Sequence, residues 1–296
     1  MEDSLLVIGL GMIGGSVLRS ARDAPSARQI LGFDAAPGVV SLAFSEGMID
    51  NNATSDTPGD DFTELAGKAS LIVIAVPPMA FGKVFSQLAN CKLRDDAVIT
   101  DVASVKLPVI EACVAKTPQL LKRFIPAHPI AGSEQSGLLA SKSGLFSGKK
   151  LILTPHESVD DSAHRRGTEF WQSLDCKLAE LSPKLHDELL ASTSHLPHVL
   201  AYVLVDSLLL HPNIDRLFEF AAGGFQDISR TASSDPTMWH DIFFANKDAV
   251  LRAVEQFESR LSLFKQLLSE DRSEEMFGML GEAKQGRDDY LKKYRS

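Results

Sequence analysis

The 296-residue chain lacks the marks of several broad protein classes. Cysteine is scarce. Cys91, Cys113 and Cys176 are unevenly spread and form no C-x-x-C pair, so neither a disulfide framework nor a thiolate zinc site is expected, and reduced thiols suit a cytoplasmic location. Positive charge is also short, with 30 Lys and Arg against 39 Asp and Glu and a net charge of −9. A nucleic-acid partner needs a basic face, so none is expected. No cationic leader with an apolar core precedes Ser4. The longest apolar stretch, 189–210, is interrupted by His195, Pro197, His198 and Asp206, and reads as a buried helix rather than a membrane span. Internal repeats and low-complexity runs are missing. What remains is ordinary for a globular chain long enough for two domains: 44% hydrophobic and 23% charged residues.

The first 34 residues carry the sharpest signal. Ser4–Ile8 reads as a short apolar strand, Gly9-Leu10-Gly11-Met12-Ile13-Gly14 follows at once, and Gly15-Ser16-Val17-Leu18-Arg19 opens a helix. A second strand, Gln29–Phe33, ends on Asp34, about 20 residues beyond Gly14. This is the pattern of a dinucleotide-binding βαβ unit. Gly9 permits the tight turn, Gly11 lets the backbone approach a pyrophosphate, and Gly14 lets helix and strand pack closely. The helix N-terminus offers unpaired N–H groups to the phosphates. Asp34 can accept both ribose hydroxyls and would repel a 2′-phosphate, and no Arg follows it in Ala35-Ala36-Pro37. The cofactor expected is therefore NAD rather than NADP.

Up to about residue 182, short apolar runs alternate with helical segments. Runs at 71–76, 97–100, 123–127, 150–153 and 176–181 read as parallel strands buried on both faces, with crossover helices at 61–67, 79–89 and 159–174. In open α/β sheets the ligand lies beyond the strands' carboxyl ends. That rule puts Val76, Pro77, Asp101, Ser104 and His128 at the ligand edge. After Pro183 no strand is expected. Segments 185–210, 213–222, 238–268 and 273–294 read as helices, and 238–268 spaces Ile242, Ala245, Ala249, Val250, Val254, Phe257, Leu261 and Phe264 close to a 3.6-residue period. The expectation is an α/β Rossmann dinucleotide-binding domain, 1–182, followed by an all-α domain, 183–296. The second buries part of itself in another copy, making a homodimer.

Four segments carry side chains suited to chemistry. In the first, Thr100-Asp101-Val102-Ala103-Ser104-Val105-Lys106, Ser104 can point its hydroxyl into the cleft, or Ser104 or Asp101 can cap a helix. The second is His128-Pro129-Ile130-Ala131-Gly132-Ser133-Glu134. An imidazole at a strand end facing a nicotinamide suits removal of a hydroxyl proton as hydride leaves the carbon, and Ser133 lies where substrate can approach. The third holds His186, His195 and His198. The last two share a helix face and read either as polar groups of a substrate cleft or as hydrogen-bonded core histidines. With no H-E-x-x-H and no nearby Cys, no metal is expected. The fourth, 223–239, reads as a polar loop in which Arg230 can grip a carboxylate with two prongs. Asp235 there caps a helix that starts at Pro236.

Taken in order, Gly9-Leu10-Gly11-Met12-Ile13-Gly14-Gly15-Ser16, Asp101-Val102-Ala103-Ser104-Val105-Lys106, His128 through Glu134, Ser194-His195-Leu196-Pro197-His198 and Gly223-Gly224-Phe225 through Trp239 resemble the signatures of the prephenate/arogenate dehydrogenase family over essentially the whole chain. The resemblance implies a cyclohexadienol substrate with a ring carboxylate opposite its hydroxyl, oxidised with NAD and decarboxylated to 4-hydroxyphenylpyruvate or tyrosine. It implies that His128 accepts the hydroxyl proton and that Ser104 bonds the same region and holds His128. His198 and Arg230 would bind the carboxylate-bearing parts, with Trp239, Ser133 and Glu134 also on the substrate side. It implies further that the neutral Gln226, where relatives often carry a basic residue, tolerates the amino group of arogenate. Neither a regulatory ACT domain after Tyr294 nor a chorismate mutase segment before Ser4 is expected. Two other readings stand beside this one. A dehydrogenase of β-hydroxyacid or imine-reducing type would place a Lys where this chain presents His186, His195 and His198, with Lys184 only at the helix start. A non-catalytic NAD-sensing protein would bind NAD without turnover.

Overall fold

The computed structural model describes residues 3–24, 29–51, 58–132 and 135–294. The chain forms two compact units, Met1–Lys247 and Asp248–Ser296. The first begins with β1 (Ser4–Ile8), α1 (Met12–Asp23), β2 (Gln29–Phe33), α2 (Val39–Ser45), α3 (Pro58–Lys68) and β3 (Leu71–Ile74). It continues with α4 (Phe81–Ala89), β4 (Val98–Asp101), α5 (Leu107–Lys116) and β5 (Phe124–Ile125). The five strands form a parallel sheet in the order β2-β1-β3-β4-β5. Alternation along β1 sends Leu6 and Ile8 into one core with Phe81, Phe85 and Phe124. Leu5 and Val7 enter another with Val17, Leu18 and Trp171. Both faces are covered, which is why these strands are mostly apolar.

The expectation of parallel strands at 123–127, 150–153 and 176–181 needs correction. Pro126 lacks an N–H and cannot continue a ladder, so the run breaks into β5 and β6 (Ala127–Pro129). β6 pairs antiparallel with β7 (Lys150–Leu153), placing His128 opposite Ile152. β7 pairs parallel with β8 (Lys177–Glu180), and α6 (Asp161–Ser173) joins them. These three strands form a separate sheet, and β8 is not buried on both faces. The Pro126 break thus moves His128 off the main sheet.

Segment 185–210 is a continuous helical stretch: α7 (Pro183–Leu190), a π-helical turn at Ala191–His195, and α8 (Leu196–Leu209). α9 (Ile214–Glu219) and α10 (Gly223–Ser229) follow, then a 3-10 turn at Arg230–Ser233 and α11 (Pro236–Ala245). The loop expected at 223–239 is therefore largely helical. Gly223 and Gly224 fall in the first turn of α10, and Phe225 packs against Phe218 with ring centroids 5.9 Å apart. Asp235 does cap α11, accepting from Thr237 N and Met238 N, with Pro236 in the first turn. The long helix read at 238–268 breaks at Asn246, whose backbone leaves the helical region.

The second unit consists of α12 (Lys247–Ser269, from Asp248 onward) and α13 (Ser273–Tyr294), joined by a turn in which Asp271 adopts φ 54°. Leu261, Leu268, Phe277 and Leu280 are exposed. Among the described residues no helix is long and apolar enough to cross a membrane.

Candidate active site

A cleft of about 780 Å³ opens at the carboxyl ends of β1, β2 and β3. Its walls include Gly9, Gly11, Met12, Ile13, Asp34, Val76, Pro77 and Ser104, with Met238 and Ile242 from α11. Gly9 has φ +92°, and a Cβ there would sit 2.5 Å from Ala75 O. At Gly14 a Cβ would lie 1.9 Å from Gly9 O. Both positions therefore demand glycine. A Cβ at Gly11 would meet nothing within 4 Å, so at this point the backbone is open to a ligand. Asp34 braces the turn, Oδ2 accepting from Leu10 N at 2.7 Å and Oδ1 from Ala36 N at 2.7 Å. The cradle and the acid at the tip of β2 fit a dinucleotide.

Three residues expected at the cofactor stand elsewhere. The Leu10 side chain is buried in the core and only its N–H faces the turn. Gly14 is a packing residue behind the turn. Asp101 is fully buried and its oxygens are spent on Ala127 N, Ala103 N and Lys106 Nζ. Ser133 and Glu134 lie outside the described residues.

His128 is half-buried on β6. Its Nδ1 lies 2.9 Å from His186 Nε2, and His186 Nδ1 lies 2.8 Å from Asp187 Oδ1. Asp187 Oδ1 also accepts from Lys106 N at 2.8 Å and Oδ2 from Leu107 N at 2.9 Å. A carboxylate only accepts, so His186 donates from Nδ1 and its Nε2 accepts from His128 Nδ1–H. The lone pair of His128 is thereby left on Nε2. Burial, with the neighbouring His186, Lys106 and His195, holds His128 well below the ordinary imidazole value, so it is neutral near pH 7. Ser104 makes no hydrogen bond to His128; His186 holds the ring instead. Nor does Ser104 or Asp101 cap α5, since Asp187, far away in sequence, receives the N–H groups at its start.

His195 and His198 lie beside the same network. Asn246 Nδ2 donates to Asp187 O at 2.9 Å and lies 3.2 Å from His195 Nδ1. His195 therefore carries its proton on Nε2, and burial lowers its pKa to about 4. Its ring meets Trp239 edge-on at 6.0 Å, while His198 stacks on Trp239 at 3.5 Å and 21°. His198 Nδ1 lies 2.8 Å from Ser194 O. Burial depresses His198, and the nearby Arg230 guanidinium adds to this. His195 Nε2 and Trp239 Nε1 are buried and have no hydrogen-bond partner among the described residues. Two such donors suit an anionic, oxygen-rich ligand. Gln226 is exposed on α10, one helical turn before Arg230. His128, His198, Trp239 and Arg230 are not in the cleft walls, but α11 carries both Trp239 and the cleft residues Met238 and Ile242.

Sequence reading missed the holding roles of His186, Asp187, Asn246 and Lys106. Only His186 gave a signal, as a histidine beside an acid on a helix.

Comparison with known proteins agrees with this geometry. Residues 18–180 match the model of the prephenate dehydrogenase nucleotide-binding domain, and 182–282 that of the prephenate dehydrogenase dimerization domain. Prephenate dehydrogenase of Bacillus subtilis is 32% identical over 292 residues, covering 97% of this chain and 76% of that one. Cyclohexadienyl dehydrogenase of Zymomonas mobilis is 31% identical over 255 residues, covering 86% and 84%. A crystal structure of prephenate dehydrogenase from A. aeolicus, in complex with hydroxyphenyl propionate and NAD+, is 35% identical with a TM-score of 0.88 and covers 98% of each chain. The two family matches together take in most of the chain, and the chain belongs to the prephenate dehydrogenase family.

Proposed function

We propose that the protein is an NAD-dependent dehydrogenase of tyrosine biosynthesis that oxidatively decarboxylates prephenate, arogenate or both. The observation that carries this reading is the His128–His186–Asp187 relay, whose hydrogen bonds leave His128 Nε2 as an acceptor. Bound NAD supplies the hydride acceptor for the hydroxyl-bearing ring carbon, and Gly9, Gly11, Met12, Ile13, Asp34, Val76 and Pro77 are the residues that hold it. His128 Nε2 takes the hydroxyl proton as that carbon is oxidised. The opposite ring carboxylate leaves as CO2, its bonding electrons pass through the ring to the oxygen, and that oxygen takes the proton back from His128 to become a phenol. Arg230, His195 and Trp239 offer donors for the carboxylates, with His198 stacked on Trp239 beside them, and together they orient the ring against His128. Ser104, in the cleft wall, is assigned to the hydroxyl side.

The division of labour proposed is nucleotide binding in 1–182, with substrate binding and homodimer formation in 183–296. Exposed apolar residues on α12 and α13 support the dimer. Three free cysteines support a cytoplasmic location. The neutral Gln226 supports acceptance of arogenate, because it leaves the substrate's amino group without a like charge beside it.

The test is to follow NADH absorbance with prephenate and with arogenate in parallel. Turnover of either is expected, with arogenate used well. Prephenate preferred by more than about a hundredfold in kcat/KM, some 2.7 kcal/mol, would remove the Gln226 argument. NAD binding without turnover of either compound would overturn the function.

A further inference from the structure

Among the described residues Lys106 is the one lysine in the buried core, with its side chain at 0% exposure. It reaches neither the cleft nor solvent. Its ammonium donates to Asp101 Oδ2 at 2.6 Å and to Ala127 O at 2.6 Å. Asp101 Oδ1 in turn accepts from Ala127 N at 2.9 Å. The ion pair therefore grips both backbone polar groups of the residue before His128. It also grips the segment that carries Ser104. Asp101 Oδ2 accepts from Ala103 N at 2.9 Å, and Lys106 N is held by Asp187, the acceptor at the end of the His128–His186 relay. Ser104 thus sits between two anchored ends, and His128 follows a third.

We propose that Lys106, paired with Asp101, is a positioning residue that fixes the Ser104 segment of the cofactor cleft in register with His128. The inference rests on the dehydrogenase reading above. A buried ion pair is a poor device for stability, since well-packed apolar residues of like size commonly serve as well or better. It is a good device for geometry, because each bond has a set direction and length. Hydride and proton leave adjacent atoms of one substrate, so the cleft and the base must keep a fixed separation. A misplacement of about 1 Å costs on the order of a hundredfold in rate.

The test compares Lys106→Met with the double variant Asp101→Asn, Lys106→Met. The single change strands a buried carboxylate and is expected to lower Tm. The double change removes both charges and is expected to fold with a Tm close to that of the wild type. For the double variant, kcat falls about a hundredfold, while NAD affinity, measured by fluorescence titration, stays within about twofold. The acid limb of its kcat/KM profile also moves toward neutral pH, because the Lys106 charge, with His186 and His195, helps to depress His128; packing alone would leave that limb in place. A double variant with wild-type kcat and pH profile would overturn the proposal. So would one that fails to fold, since the pair would then serve stability. A wild type inactive on both prephenate and arogenate would instead overturn the functional reading.

Discussion

His128 Nδ1 and His186 Nε2 lie 2.9 Å apart, their rings inclined at 63°. The pair gains its direction from Asp187, which can only accept and therefore decides which nitrogen of each ring bears a proton. The result is a base prepared before substrate arrives: an imidazole held by one nitrogen and basic at the other. Replacing His128 by Asn keeps a donor toward His186 and removes the base. kcat should fall by about 10²–10⁴, the usual range for losing a general base, with NAD affinity unchanged. Single-turnover NADH absorbance and a separate NAD titration check this, and near-normal turnover would take His128 out of the chemistry.

The acidity of His128 sets the pH response. Burial, reinforced by His186, Lys106 and His195, lowers its pKa well below the ordinary 6.5. The active form is the unprotonated one, so activity is lost as pH falls through the lowered value. kcat/KM should therefore stay flat from neutral pH down past 6.5 and bend only at more acid pH. An acid limb centred at or above 6.5 would show that His128 is not the titrating group, or is not buried in the working enzyme.

His195 makes a corresponding statement about stability. Its pKa is about 4 in the fold against 6.5 when unperturbed. Between these values the unfolded chain binds more protons than the folded one, so stability decreases as pH is lowered from 6.5 to 4 and levels off below. At about 1.4 kcal/mol per unit, the full effect is on the order of 3 kcal/mol. His195→Gln should flatten the dependence of Tm on pH across that window, with His128 and His186 supplying the slope that remains. An identical slope in the variant would mean that His195 titrates normally.

The nucleotide half was legible because its signals are local. Gly9, Gly11, Gly14 and Asp34 lie within one βαβ unit, and their roles follow from turn sterics and a fixed spacing. What escaped depends on contacts between distant segments. Asp101 reads as a strand-end carboxylate facing the ligand, and only its pairing with Lys106 and Ala127 reveals it as an interior group. Asp187 lies on a helix some 80 residues from the N–H groups it receives. Pro126 was in plain view as a ladder breaker, yet its consequence, moving His128 to a second sheet, needed β7 as partner. The π turn before His198 has no residue signature comparable to a proline or glycine.

Arg230 tests the substrate side. Burial depresses the His198 imidazole and the Arg230 guanidinium lies close enough to add to this, and a carboxylate bound by that guanidinium would be held in the ground state as well as in the transition state. Arg230→Ala should therefore raise KM for prephenate or arogenate by about tenfold or more, with a smaller effect on kcat. An unchanged KM would assign Arg230 to structure alone.

Asp34 has two duties that one substitution can separate. Its carboxylate faces the cleft, where it would accept ribose hydroxyls, and it also ties Leu10 N and Ala36 N. Asp34→Asn keeps an acceptor oxygen for the turn but removes the charge that repels a 2′-phosphate. Asp34→Ala removes both. Asn should therefore raise activity with NADP relative to NAD while retaining most of the wild-type Tm. Ala should relax the preference similarly but raise KM for NAD further, since two backbone donors lose their partner at about 1 kcal/mol each. Measuring kcat/KM for both cofactors and Tm for both variants separates the effects. Strict use of NAD by the Ala variant would show that discrimination lies elsewhere in the cleft, with Lys83 and Gln87 on α4 the next residues to replace.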